Sequence, residues 1–405
     1  MNALFKCEVN RIFASKKTWV FIILAFLVTI GLSVYSTSGE VAFINDSNGN
    51  RMELTGMKAI KYSNEIEFPL AGEVTEDKLK RSLNVYRDSY DSVDDKFSFT
   101  EEFNEKIPLM GLLQDISIDP TYSDYTIQEL PDVIATNYYE IRGCVQEDLL
   151  KDELNDNPKL IKYAKKLDAN VKKPFYFSPN KGWQPTLECM SILYYILCLM
   201  IIVLASSVYS EDYYSGADAV MRTTKYGMKE LAKVKFTTSL VFVLLICILC
   251  TFIYLGMSSF KLSVGGLKAS AQFINSLVPV PLTIGGALKY IVFFGLLSSI
   301  CTAGFAMWIS SRCKNPILSL IIPIALFGVY LLSSNFKGAG SITSVLFDMF
   351  PFRGAGMYFT LFTGISIQLL FGVPIWAPYI TAIISIILLT AFYYGTIKRY
   401  VNMKC

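Results

Sequence analysis

Six stretches of this chain contain no Asp, Glu, Lys or Arg over at least 22 residues: 18–39, 189–210, 236–260, 290–311, 315–336 and 354–397. A helix needs about 20 apolar residues to cross the hydrocarbon core of a bilayer. Apolar runs of this length leave a helix as the natural fold, because only helices and closed barrels satisfy every backbone group in lipid. The runs therefore predict an α-helical polytopic membrane protein.

Charge is partitioned accordingly. The chain has 405 residues, 37 Lys+Arg, 34 Asp+Glu and no histidine. Residues 37–185 hold 18 basic and 27 acidic side chains, and the rest of the chain holds 19 and 7. A net charge of +3 thus conceals an acidic soluble insert within a basic, mostly apolar body. This division excludes a single soluble domain, a disordered chain and a nucleic-acid binder with a broad basic face. Missing histidine removes Ser-His-Asp and Cys-His nucleophile systems, HExxH zinc sites and imidazole switches.

The predicted spans are 18–36, 186–210, 236–258, 288–311, 315–335 and 375–397. Lys and Arg gather on the cytoplasmic side of short membrane flanks. Lys6, Arg11, Lys16 and Lys17, the cluster from Arg222 to Lys235, Arg312 with Lys314, and Lys398, Arg399 and Lys404 all fall on one side of six crossings. The other short flanks hold only Lys261, Lys268, Lys289, Lys337 and Arg353. Both termini, with the tail 398–405, are accordingly expected in the cytoplasm of a plasma-membrane protein, and 37–185 outside. The apolar core 19–35 exceeds a signal-peptide h-region of about 7–15 residues, so a retained first span is expected. Since a seventh crossing would move Lys398 and Arg399 outside, 340–373 is expected as an extracellular and re-entrant segment, with 357–371 its apolar part. A true span at 357–371 with an external C-terminus is the alternative.

Residues 1–17 are expected as an amphipathic helix lying in the lipid interface. Phe5, Val9, Ile12 and Phe13 share one face, and Lys6, Asn10 and Lys17 lie opposite. The insert is expected to be mainly helical. In residues 75–93, Leu79, Leu83, Tyr86, Tyr90 and Val93 form one apolar stripe, and a second helical pattern at 149–167 is broken at Asn157-Pro158. The Phe175-Tyr176-Phe177 run before Trp183 is expected to be an interfacial aromatic belt. The nine cysteines follow neither metal spacing nor a disulfide framework. They are expected as free thiols; a Cys144–Cys189 link is conceivable.

The segment 211–235 between the second and third spans carries the most specific pattern. Glu211 and Asp212 are followed by Gly216, then Arg222-Thr223-Thr224-Lys225-Tyr226-Gly227, then Lys233 and Lys235. An acidic start followed by a basic, polar surface suits docking of a cytoplasmic protein; a positively charged loop that only fixes topology is the plainer alternative.

In these features the chain resembles the membrane subunits of type-2 ATP-binding-cassette (ABC) exporters. Glu211, Gly216, Thr223-Thr224, Tyr226-Gly227 and Lys233 follow that family's order of acid, glycine, hydroxyl turn and lysine. The basic aromatic N-terminus is similar to its interfacial helix. The resemblance implies a permease that pairs with an identical or related permease subunit. It also implies a separate cytoplasmic ABC ATPase gripping 211–235. Glu211 and Gly216 would shape the loop, and Thr223, Thr224, Lys225, Tyr226 and Gly227, flanked by Arg222 and Lys233, would face the ATPase. ATP and Mg would be bound by that partner, for the sequence contains no GxxxxGK[ST] phosphate loop. The chain is thus expected to need no cofactor of its own, to work in membrane lipid without nucleic acid, and to be no enzyme. An uncharged interior favours amphipathic or hydrophobic cargo such as a peptide, a lipid-like molecule or a drug. A second reading is a sensor or mechanical transmitter, in which ATP hydrolysis moves the external domain and no cargo crosses. Adjacent carboxylates such as Asp94-Asp95 leave a membrane enzyme as a third.

Overall fold

A computed structural model of the protein describes residues 2–45, 51–91, 96–116, 129–224, 226–333, 349–365 and 367–402. Helix α1 (Asn2–Ala14) leads into α2 (Lys16–Ser38). The insert follows, with α3 (Met57–Ile66), α4 (Glu76–Asp88), α5 (Glu101–Ile116), α6 (Asp132–Thr136), α7 (Tyr138–Glu153) and α8 (Pro158–Asp168). The body resumes with α9 (Trp183–Ala205), α10 (Ser207–Ser215), α11 (Ala217–Arg222), α12 (Lys229–Lys261) and α13 (Ile284–Ser310), then α14 (Pro316–Ser333), α15 (Met357–Phe362) and α16 (Ala377–Asn402).

Five of these are long and apolar enough to cross a membrane: α2, α9 running on into α10, α12, α13 and α16. Helix α14 is shorter, at 18 residues. The central helices α9 and α13 bury most of their side chains, and α9 is cross-tied to α12 where the Tyr194 and Thr251 hydroxyls share a hydrogen bond of 2.8 Å. The outer helices leave large apolar side chains uncovered, among them Leu27, Phe252 and Ile387. Such a surface is favourable against lipid or another apolar face rather than against water.

The segment after α14 differs from a span. Residues 340–348 and 366 of the expected re-entrant region lie outside the described residues. The remainder forms α15, too short to cross, and an antiparallel hairpin of Ile367–Leu370 with Val373–Trp376. A crossing helix at 357–371 is therefore not what forms there.

Two helices of the insert start where side-chain chemistry predicts. Thr75 caps α4 by accepting from the Lys78 N–H at 3.4 Å. Asn157 caps α8 by accepting from the Lys159 N–H at 3.1 Å, with Pro158 at the first helical position. Small antiparallel strand pairs, Val41–Asn45 with Arg51–Thr55 among them, accompany the helices. Two rings of the aromatic run overturn its expectation, while Tyr176 between them is exposed. Phe175 and Phe177 are fully buried in the insert's own core, with Leu79, Leu83, Leu109 and Tyr138, and Phe175 packs edge-on against Tyr139 at 5.1 Å. Trp183 is equally buried and donates to the Ser263 carbonyl at 2.8 Å. An interfacial belt would leave these rings at the surface. They close the insert instead. The described cysteines are free thiols, with Cys144 exposed and Cys189 buried.

The insert is clamped to the body by buried polar groups. Arg142, with no exposed surface, donates to Asp168 through Nη2 at 2.9 Å and to the Ser276 carbonyl through Nε at 2.6 Å. Gln146 donates to the Leu277 carbonyl at 2.6 Å, and Glu153 accepts from the Ile365 N–H at 2.9 Å. Burial raises the Asp168 carboxyl's affinity for a proton, but its bonds to Arg142 and Lys173 outweigh that and leave its pKa below the ordinary value.

Candidate functional site

At the end of the bundle opposite the insert, the chain turns from α10 through α11 to α12. Helices α9 and α10 meet at a break around Ser206 that is held from outside. Ser310 Oγ of α13 accepts from the N–H groups of Tyr209 and Ser210, at 3.1 and 3.0 Å. Ser319 Oγ of α14 donates to the Ser206 carbonyl at 2.7 Å. A helix break normally exposes backbone groups; hydroxyls from neighbouring helices satisfy these.

Helix α10 ends at Gly216, whose φ of +72° is a left-handed conformation. Glycine adopts it without the steric cost a Cβ imposes. Helix α11 follows at once and ends at Arg222. Thr223 and Thr224 then turn their hydroxyls back onto the carbonyls of Val220 and Met221, at 2.8 and 2.7 Å, closing the last turn of α11. Gly227 sits so tightly against this turn that a Cβ would overlap the Met221 carbonyl oxygen. Tyr226 is exposed. Lys233 pairs with Glu230 at 2.9 Å within the first turns of α12. Lys225 lies outside the described residues.

Two of the named residues are tied to other helices. Arg222 is buried, with its guanidinium 4.5 Å from the ring centre of Tyr400 on α16 and Nε 3.4 Å from Asp218. Glu211 is half exposed and pairs with Lys17 at 2.9 Å, tying α10 to the start of α2.

The strongest connection was not singled out from the sequence. Asp212 accepts a hydrogen bond from the fully buried Lys235 of α12, and its other oxygen faces Arg11 of α1 at 3.5 Å. Arg11 also pairs with buried Glu8 at 2.8 Å. Tyr209 donates to the Ala232 carbonyl at 2.8 Å and packs 5.6 Å from Tyr400. A buried ammonium is tolerated only with a partner of opposite charge, so the Asp212–Lys235 pair pins α10 to α12. In sequence, Asp212 and Lys235 are merely two charges bordering apolar runs.

Helix α1 completes the arrangement. Phe13 meets Phe242 of α12 edge-on at 5.8 Å, Ile12 packs on the bundle core and Val9 is half-buried, whereas Phe5 and Phe13 keep large exposed faces. A cavity of about 130 Å³ lies between α1, α2, the end of α9, α10 and α12, with Arg11, Lys17 and Glu211 among its polar lining and Leu204, Phe242 and Val243 among its apolar lining. The turn formed by α10, α11 and the start of α12 is thus an elbow tied to five other helices, α1, α2, α13, α14 and α16.

The family model described as ABC-2 family transporter protein matches residues 16–397. No curated protein and no solved structure matches the chain. With nearly the whole chain covered, and with apolar helices of spanning length, the protein belongs to the ABC-2 transporter family as a membrane permease subunit.

Proposed function

We propose that this permease exports an amphipathic or hydrophobic cargo, driven by a separate cytoplasmic ATPase that docks on the α10–α11 elbow and the start of α12. The observation that carries this reading is the Asp212–Lys235 pair, with Arg11 beside it, which joins the elbow to α12 and α1. In this reading ATP and Mg stay with the partner, and the chain contributes the docking surface and the moving helices. Thr223, Thr224, Tyr226 and Gly227 shape and present the contact, with Lys225 between them. Arg222, packed under Tyr400, holds the elbow rather than touching the ATPase. Six crossings, both termini in the cytoplasm, residues 37–185 outside and pairing with a second permease subunit belong to the same proposal. It is supported by the basic flanks and by α1 and α16 sharing the elbow's end of the bundle.

The test is co-purification with candidate ATPases, followed by ATP turnover and cargo efflux. Binding that is lost when the elbow is altered, together with efflux that needs ATP, is expected. An ATPase that binds equally well to a chain lacking 216–228 would overturn the docking assignment. The buried clamp of Arg142 on the Ser276 carbonyl favours one second reading, an ATP-driven transmitter that moves the insert. ATPase coupling without efflux of any cargo would select it.

A further inference from the structure

Where the insert meets the end of α12, a groove of about 740 Å³ is lined by Lys58, Lys61, Asn64, Phe68, Phe260 and Lys261, with Glu65 at its edge. We propose that this groove binds the headgroup of an anionic phospholipid from the leaflet on the insert's side of the membrane. This inference uses the proposed topology only to say which leaflet that is.

The groove's position is set by α12. Phe260 and Lys261 are the last residues of that spanning helix, so the groove lies at the boundary between hydrocarbon and water. Phe260 is 92% exposed and Phe68 is 71% exposed, which is costly in water for two large rings and favourable in the interfacial zone of a bilayer. Around these rings the charge is inverted relative to the insert. Residues 37–185 carry 27 acidic against 18 basic side chains, yet this groove holds three lysines and one glutamate. Lys58 makes no ion pair among the described residues, and Lys61 reaches Glu65 only at 3.9 Å. Lys261 donates to the Ser33 carbonyl at 2.9 Å, which fixes its ammonium where α2 and α12 approach each other. Two of the lysines stand on successive turns of α3, a spacing that places them on one face. Apolar rings and ammonium groups lining one groove suit the acyl chain and the phosphate of one lipid.

The experiment uses the full chain in vesicles of mixed phosphatidylglycerol and phosphatidylcholine, extracted in mild detergent, with retained lipid measured by mass spectrometry. The chain is expected to retain phosphatidylglycerol in preference to phosphatidylcholine. Each lysine removed by Lys58→Gln, Lys61→Gln or Lys261→Gln should lower that preference roughly fivefold. The double variant Lys58→Arg with Lys61→Arg should keep it, and Lys159→Gln with Lys162→Gln, elsewhere on the insert, should leave it unchanged. No preference for the anionic lipid, or a preference lowered equally by the distant pair, overturns the proposal. A failure of the topology would show separately, as labelling of Cys144 from the other side with lipid retention intact.

Discussion

Asp212 and Lys235 are 23 residues apart and meet in a buried ion pair that closes the base of the elbow, with Arg11 approaching the same carboxylate from α1. Three helices therefore share one carboxylate. In the proposed docking of an ATPase, force on the elbow enters the bundle here.

Removing Asp212 leaves the Lys235 ammonium buried and unpaired, a change that costs about 3–5 kcal/mol, whereas removing Lys235 leaves Asp212 facing Arg11 and costs less. Asp212→Ala and Lys235→Ala should each lower the thermal unfolding midpoint of the purified chain. The double replacement Asp212→Leu with Lys235→Met should recover most of that stability, since it removes both charges. It should nonetheless reduce ATPase stimulation, because the tie between α10 and α12 is gone. Stimulation equal to that of the parent chain would show that the pair serves packing alone.

The two glycines of the elbow should differ in severity. Gly216→Ala meets open space but forces a left-handed backbone on a residue with a Cβ, costing about 1–2 kcal/mol. Gly227→Ala collides with the Met221 carbonyl, so the turn itself must move. Co-purification with the ATPase should survive the first substitution in weakened form and be lost with the second.

Arg142 decides whether the insert and the body move together. Arg142→Ala leaves Asp168 to Lys173 and Gln146 and frees the buried Ser276 carbonyl, a loss of about 1–3 kcal/mol. It should expose residues 262–283 to limited proteolysis while α9 and α13 stay protected. Because the Asp168 pKa lies below its ordinary 3.8, the clamp contributes stability at pH values above 3.8, which is lost as pH falls through the lower folded value.

Glu67 should give the opposite pH dependence. Burial pushes its carboxyl up to about 8, against the pull of Lys181 and with help from Glu40. Between about pH 4.5 and 8 the folded chain holds a proton that the unfolded chain releases, so stability falls as pH rises through that window. Glu67→Gln should flatten this decline and raise the unfolding midpoint at pH 8. Thermal unfolding monitored from pH 5 to 9 separates the slope of the parent chain from that of Glu67→Gln.

Cys144 and Cys7 are native reporters of orientation, both exposed and at opposite ends of the molecule. In intact cells a membrane-impermeant maleimide should label Cys144, and Cys144→Ser should abolish the signal. Labelling that persists through Cys7 would invert the proposed topology.

Some of this arrangement is legible before folding. The α4 stripe of Leu79 and Leu83, its Thr75 cap and the Asn157-Pro158 start of α8 all depend on neighbours within a few residues. Local spacing suffices for those. Phe175 and Phe177 were misjudged for the converse reason: an aromatic run near a span reads as an interfacial belt, and only Tyr138, Tyr139 and Leu79 from distant segments turn it into a core. The elbow lies within the segment 211–235 that its sequence pattern marks, but the basic run that reads as surface includes Arg222, which lies beneath Tyr400, 178 positions further along the sequence.

The sequence by itself determined that the chain is a membrane protein, where its apolar helices lie and which stretch is the charged insert. Hydrophobic length and charge distribution are properties of consecutive residues and need no fold to act. Only the tertiary structure decided which charges matter. Asp212 and Glu211 are chemically alike and adjacent, yet one is buried between α1 and α12 and the other is half exposed against Lys17. Burial is set by what packs around a side chain, and those partners come from helices that meet only when the bundle closes.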